Sequence, residues 1–169
     1  MIHLYTGEGK GKTTAAIGLA VRAAGNGFPV IFSQFMKGND SGELHSLAQL
    51  AQVQILRSEK NFGFYKNMSD ADKRELTQIH NRMLEELIRA AENDSCKMIV
   101  LDEITYPVKW ELLDDGKLKK LLAYRNVELV LTGRDPADFL TEAADYLTEM
   151  QCVRHPFEKG VAARRGIEY

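Results

Sequence analysis

The sequence has little cysteine. Cys96 and Cys152 stand alone and far apart. They make neither a disulfide framework nor a metal-type pair, so a reduced, cytoplasmic setting is expected. No run approaches the ~20 apolar residues of a membrane-spanning helix. A secretory leader is not expected, because a glycine-rich stretch begins by Gly7, where a leader would be apolar. Neither sign of charge dominates. Lys and Arg number 22 against 24 Asp and Glu, a formal net charge of −2. That balance argues against a nucleic-acid partner or an anionic membrane surface. His3, His45, His80 and His155 show no ligand-type spacing, and the one tryptophan, Trp110, reads as packing.

What is present is ordinary globular material, 169 residues with 44% hydrophobic and 27% charged. That fits one domain over residues 1–169. Ile2–Tyr5, Val30–Phe32, Val53–Leu56, Met98–Leu101 and Leu129–Leu131 read as strands, the later two apolar throughout, as strands buried on both faces are. Between them, Thr13–Ala24, Gly42–Ala51, Asp70–Asn93 and Leu112–Tyr124 read as helices. Ser69 is placed to cap the long third helix. Asp135 and Pro136 are placed to open another, as cap and first residue. Strands alternating with helices predict an α/β fold with a mainly parallel sheet and right-handed crossovers.

The chemistry concentrates where the first strand meets the first helix. Gly7-Glu8-Gly9-Lys10-Gly11-Lys12-Thr13-Thr14 is a phosphate-binding loop in the right context. Glycines let backbone N–H groups converge on phosphate oxygens, and the helix N-terminus adds partial positive charge. Lys12 would reach the polyphosphate, and the Thr13 hydroxyl would ligate Mg²⁺. The usual pattern starts with glycine six positions before the lysine, where this chain has Thr6. Asp102 and Glu103 end an apolar strand at the edge where α/β sheets bind ligands. Either carboxylate can hold the metal, directly or through water. Arg134 leaves a strand at that same edge and can meet phosphate or ribose. Arg22 suits either the dipole at the end of the first helix or a nucleotide contact.

These segments together resemble the P-loop corrinoid adenosyltransferases. The resemblance is carried by Tyr5–Ala16, Leu101–Tyr106, Leu131–Arg134, Ala144–Met150, His155–Gly160 and Arg165–Tyr169, in family order across nearly the whole chain. It implies a P-loop NTPase-like domain that moves the 5′-deoxyadenosyl group of ATP onto the cobalt of a reduced corrinoid. Triphosphate is the by-product, and the nucleotide lies reversed relative to ordinary P-loop ATPases. It further implies that residues 7–14 bind the triphosphate, with Lys12, Thr13 and Glu103 catalytic and Arg22 and Arg134 supporting the nucleotide. Thr13 and Glu103 would hold Mg²⁺, and Asp145, Thr148 and Glu149 would line the site mouth.

Asn61–Lys66 is similar to a family segment whose aromatic residues lie near the corrinoid, which implicates Phe62, Phe64 and Tyr65. The same aromatics also suit a loop anchored on the core. A Trp common two residues after the Phe is Lys66 here, and an N-terminal extension common in the family does not precede the first strand. A partner subunit can complete such a site. The resemblance implies a homodimer, an electron-donating reductase, and cobalamin or a corrinoid precursor as substrate. An ATPase or kinase acting at the γ-phosphate shares Lys12, Thr13 and the acids. A non-catalytic nucleotide sensor or corrinoid carrier is disfavoured, because the Asp-x-His-x-x-Gly arrangement of many carriers is absent.

Overall fold

The computed structural model describes residues 1–167, without the side chains of Phe157 and Lys159. Glu168 and Tyr169, which close the last family-like segment, lie outside the described residues. Strands β1 (Ile2–Thr6), β2 (Val30–Gln34), β3 (Val53–Arg57), β4 (Met98–Asp102), β5 (Glu128–Thr132) and β6 (Tyr146–Glu149) form one sheet, ordered β3-β2-β4-β5-β1-β6. Every pairing in it is parallel. All strands therefore end on one edge, in a row that includes Gln34, Asp102, Thr132, Thr6 and Glu149.

Alternation within the strands divides the core in two. Val30, Phe32, Met98, Val100 and Val130 face α1 (Lys12–Gly25), whose Ala16, Ala20, Ala23 and Ala24 let it lie close against the sheet. Ile31, Ile99, Leu101, Leu129 and Leu131 face the other layer. There they meet Met83, Leu84, Leu87 and Ile88 of α3 (Asp70–Glu92). Ser69 does cap α3, in a reciprocal capping box with Asp72. A short α2 (Gly42–Leu47) precedes β3.

Two local expectations are corrected. The helix predicted from Leu112 is α5 (Asp115–Leu122), because Asp114 takes the N-cap and accepts from the amides of Gly116 and Lys117. The helix predicted to open at Asp135 is α6 (Asp138–Ala143), capped at Ala137. Asp135 itself has φ +44° and pairs with Lys109 at 2.9 Å. A short α4 (Thr105–Lys109) follows β4 and tolerates Pro107 within its first turn, where no N–H is needed. Strand β6 escapes the sequence reading because all four of its residues are exposed.

His80 of α3 is buried, with Nδ1 2.9 Å from the Leu112 carbonyl oxygen. Burial pushes its pKa down to about 4. The unfolded chain therefore binds a proton that the folded chain refuses as pH falls below 6.5. This group's contribution is complete at neutral pH and is lost between pH 6.5 and about 4. The loss amounts to roughly 3 kcal/mol. Urea unfolding at pH 7 and pH 4 should show His80→Gln to be less acid-sensitive than the parent by about that amount. Equal sensitivity would refute the assignment.

Candidate active site

Three loops meet at the carboxyl edge of the sheet. The first turns at Gly7, φ +94°, and enters α1 from Gly11, φ +116°. Thr6 stays in β1, where its carbonyl accepts from the Met150 amide at 2.8 Å. A strand residue fits at that position, so the absent glycine costs the loop nothing. Gly9 is indispensable for another reason. Its N–H donates to the Met150 carbonyl at 2.6 Å, and a Cβ there would lie 2.6 Å from that oxygen and 2.7 Å from the Gln151 carbonyl.

Lys12 is buried and folds back over its own loop, donating to the carbonyls of Gly7 at 2.6 Å and Gly9 at 2.8 Å. Burial, then the Arg134 charge, holds its pKa below the usual lysine value. Such a cation gains from an anion. Arg134 stands across the loop, 3.2 Å from the Glu8 carboxylate and 3.5 Å from the Glu8 carbonyl oxygen. Lys10 reaches the Ile167 carbonyl at 3.1 Å, and Thr14 is exposed on the first turn of α1.

Asp102 is the buried centre of the site, at 0% exposure. Its Oδ1 accepts from Thr13 at 2.8 Å and from Thr132 at 2.7 Å. Its Oδ2 is 2.8 Å from Lys37 Nζ and 3.4 Å from Gln34 Nε2. Burial works to lower the Lys37 pKa, but Asp102 outweighs it and raises it. Glu103 follows with φ +60°, rare for a non-glycine residue. The Thr132 hydroxyl holds that turn by accepting the Glu103 amide at 2.9 Å. Burial and then Asp102 push the Glu103 carboxyl pKa up, and its Oε2 is buried with no hydrogen-bond partner.

The structure thus brings together residues 7–13, Asp102, Glu103 and Arg134. It leaves Arg22 elsewhere, exposed in the last turn of α1. At ten residues from Lys12, that is ~15 Å along the helix. Thr148 and Glu149 do end β6 beside the loop. Asp145 lies at the opposite end of the sheet, accepting from the Ile2 amide at 2.7 Å. Phe62 and Tyr65 are half-buried, whereas Phe64 is 81% exposed. Sequence reasoning missed Lys37, Gln34 and Thr132. Lys37 and Gln34 lie near the end of β2, a strand that carries no motif, and Thr132 signals itself only by ending β5 before Gly133.

Gly133 holds the third loop against α4. A Cβ at Gly133 would lie 2.0 Å from Thr105 Oγ1 and 2.8 Å from its Cβ, at a φ of +148°. Gly133→Ala should destabilise the fold by about 3 kcal/mol, through overlap and backbone strain together. An unchanged urea midpoint would contradict that close approach.

A glycine-rich loop, a lysine and threonine opening α1, and acids ending a neighbouring parallel strand define a P-loop nucleotide-binding domain. A KaiC-like protein from Pyrococcus horikoshii OT3 shares the fold, with a TM-score of 0.53 at 15% identity, covering 89% of this chain and 70% of that one. The family model for ATP:corrinoid adenosyltransferase BtuR/CobO/CobP matches residues 1–169, and the chain belongs to that family. Corrinoid adenosyltransferase of Escherichia coli K12 is 36% identical over 174 residues, spanning 100% of this chain and 85% of that protein. Corrinoid adenosyltransferase CobA of Salmonella typhimurium is 33% identical, with the same coverage of 100% and 85%. A Sinorhizobium relative is 29% identical, covering 100% and 80%. Among the described residues no helix is long and apolar enough to cross a membrane.

Proposed function

We propose that this protein transfers the 5′-deoxyadenosyl group of ATP to the Co(I) of a reduced corrinoid and releases triphosphate. The observation that carries the reading is family membership along the whole chain, coinciding with a P-loop site rich in cations. Co(I) is a strong nucleophile and supplies both electrons of the new bond to C5′. The C5′–O5′ bond breaks, its electron pair leaves with the triphosphate, and cobalt rises formally from +1 to +3. No side-chain nucleophile is needed. The protein must orient C5′ towards cobalt and stabilise charge on the leaving group.

Lys12 serves that leaving group by exchanging the Gly7 and Gly9 carbonyls for phosphate oxygens. The N-terminus of α1 and Arg134 add positive potential there. The donor set fits Mg²⁺. Thr13 donates its hydroxyl hydrogen bond to Asp102, which leaves the lone pairs of that hydroxyl for a cation, and Glu103 Oε2 is buried and unpartnered. Both oxygens of Asp102 are already engaged, so Asp102 would act through Thr13, while Thr13 and Glu103 would hold the ion. Among the described residues no group of three or more His, Cys, Asp or Glu side chains surrounds a metal position. Phosphate and water oxygens would complete the shell, as is common for Mg²⁺. When bound, the ion would supply positive charge to the polyphosphate.

The reading brings an electron-donating reductase and a reducing, cytoplasmic setting, consistent with the free thiols Cys96 and Cys152. It also brings a homodimer and a corrinoid face that includes Phe62, Phe64 and Tyr65. The test is anaerobic incubation with Mg-ATP and chemically reduced cobalamin. A light-sensitive adenosyl product with equimolar triphosphate is expected. ADP and phosphate as the products would move the assignment to chemistry at the γ-phosphate.

A further inference from the structure

The segment 61–67 carries Phe64 almost fully into solvent, at 81% exposure. A ring presented in this way is open to an apolar partner, which would gain by covering it. The segment has few anchors. Asn61 bonds to Asn39, and Phe62 packs on Met68, Leu76 and Leu112. Gly63, φ +69°, turns the chain and donates its N–H to Asn61 Oδ1 at 2.8 Å. Lys60 Nζ lies 4.6 Å from the Phe62 ring centre and Lys73 Nζ 4.6 Å from that of Tyr65, and Tyr65 stacks face-on against Trp110, with ring centres 4.4 Å apart and planes 8° from parallel.

Trp110 belongs to the other side of the molecule's chemistry. It closes α4, with its amide on the Tyr106 carbonyl at 2.9 Å, and its ring stacks on Tyr106 at 5.0 Å and 24°. Tyr106 begins beside the acids. Burial and then Glu103 raise its hydroxyl pKa. Three rings therefore run from the carboxylate corner of the nucleotide site to the turn that presents Phe64. Aliphatic side chains would bury as much area, but stacked planes also fix orientation.

We propose that Trp110 is a positioning residue for the corrinoid: through Tyr65 it sets where Phe64 stands relative to the nucleotide corner, and Tyr106 sets Trp110. This inference rests on the adenosyltransferase reading. It predicts an effect on one substrate only. Trp110→Leu should raise the corrinoid KM about fivefold and leave the ATP KM within about twofold, and Trp110→Phe should restore the parent value. A merely structural tryptophan would lower the thermal midpoint without separating the two KM values.

Tyr65→Leu tests the other side of the stack and keeps Trp110, the single tryptophan of the chain, as a fluorescent reporter. Cob(II)alamin absorbs where tryptophan emits, so its binding quenches Trp110 without any turnover. The half-quenching concentration should rise about fivefold in Tyr65→Leu. An unchanged half-quenching concentration, or ATP and corrinoid KM values rising together in Trp110→Leu, would overturn the proposal. Failure of the parent protein to form any adenosyl product would instead sink the enzymatic reading, which the quenching series distinguishes.

Discussion

Replacing Lys12 with Met should slow adenosyl transfer by about 10³-fold while the domain stays folded. The ammonium is buried against the Gly7 and Gly9 carbonyls, and burial with Arg134 nearby depresses its pKa. It is a cation held in a poor environment until an anion arrives. Negative charge accumulates on the triphosphate as C5′–O5′ breaks, so the interaction grows towards the transition state, and its loss should fall on kcat more than on KM. Single-turnover adenosylation with saturating Mg-ATP reads the effect. A loss below tenfold, with triphosphate still released, would remove Lys12 from the leaving-group role.

Asp102→Ala should be the most damaging single change to stability, by roughly 3–5 kcal/mol. The carboxylate is fully buried and satisfies Thr13, Thr132 and Lys37 at once. Removing it strands the Lys37 charge and frees two hydroxyls, one of which also fixes the Glu103 turn. For a domain of this size the thermal midpoint should fall by about 10 °C. Adding Lys37→Met should recover part of the loss, because the double variant leaves no unpaired charge. If the two losses simply add, the pair is not the organising contact described.

Much of this site was legible because the P-loop is local. Gly7 to Thr13 are contiguous, and strand, loop and helix agree on one reading. The long third helix was equally readable, since Ser69 and the apolar spacing of Leu76, Met83, Leu84 and Leu87 are local signals. Lys37 was not readable. It meets Asp102 only because β2 lies beside β4, and that adjacency is a property of strand order. Strand β6 was hidden for a related reason. Its residues are held by β1 and bury no alternating face, so no period marks them. Arg22 was open to two readings, the helix dipole or the nucleotide, and its place in the last turn of α1 suits the dipole. Asp135 looked like a cap until its left-handed backbone and its pairing with Lys109 claimed it.

Just past the end of β6, Met150 accepts the Gly9 amide, and the loop glycines leave no room beside that carbonyl. The motif at the start of the chain is thus moulded by residues 141 positions later, counting from Gly9 to Met150. A fragment stopped before residue 146 would retain every motif letter from Gly7 to Thr14 and still lack the wall against which they are cast.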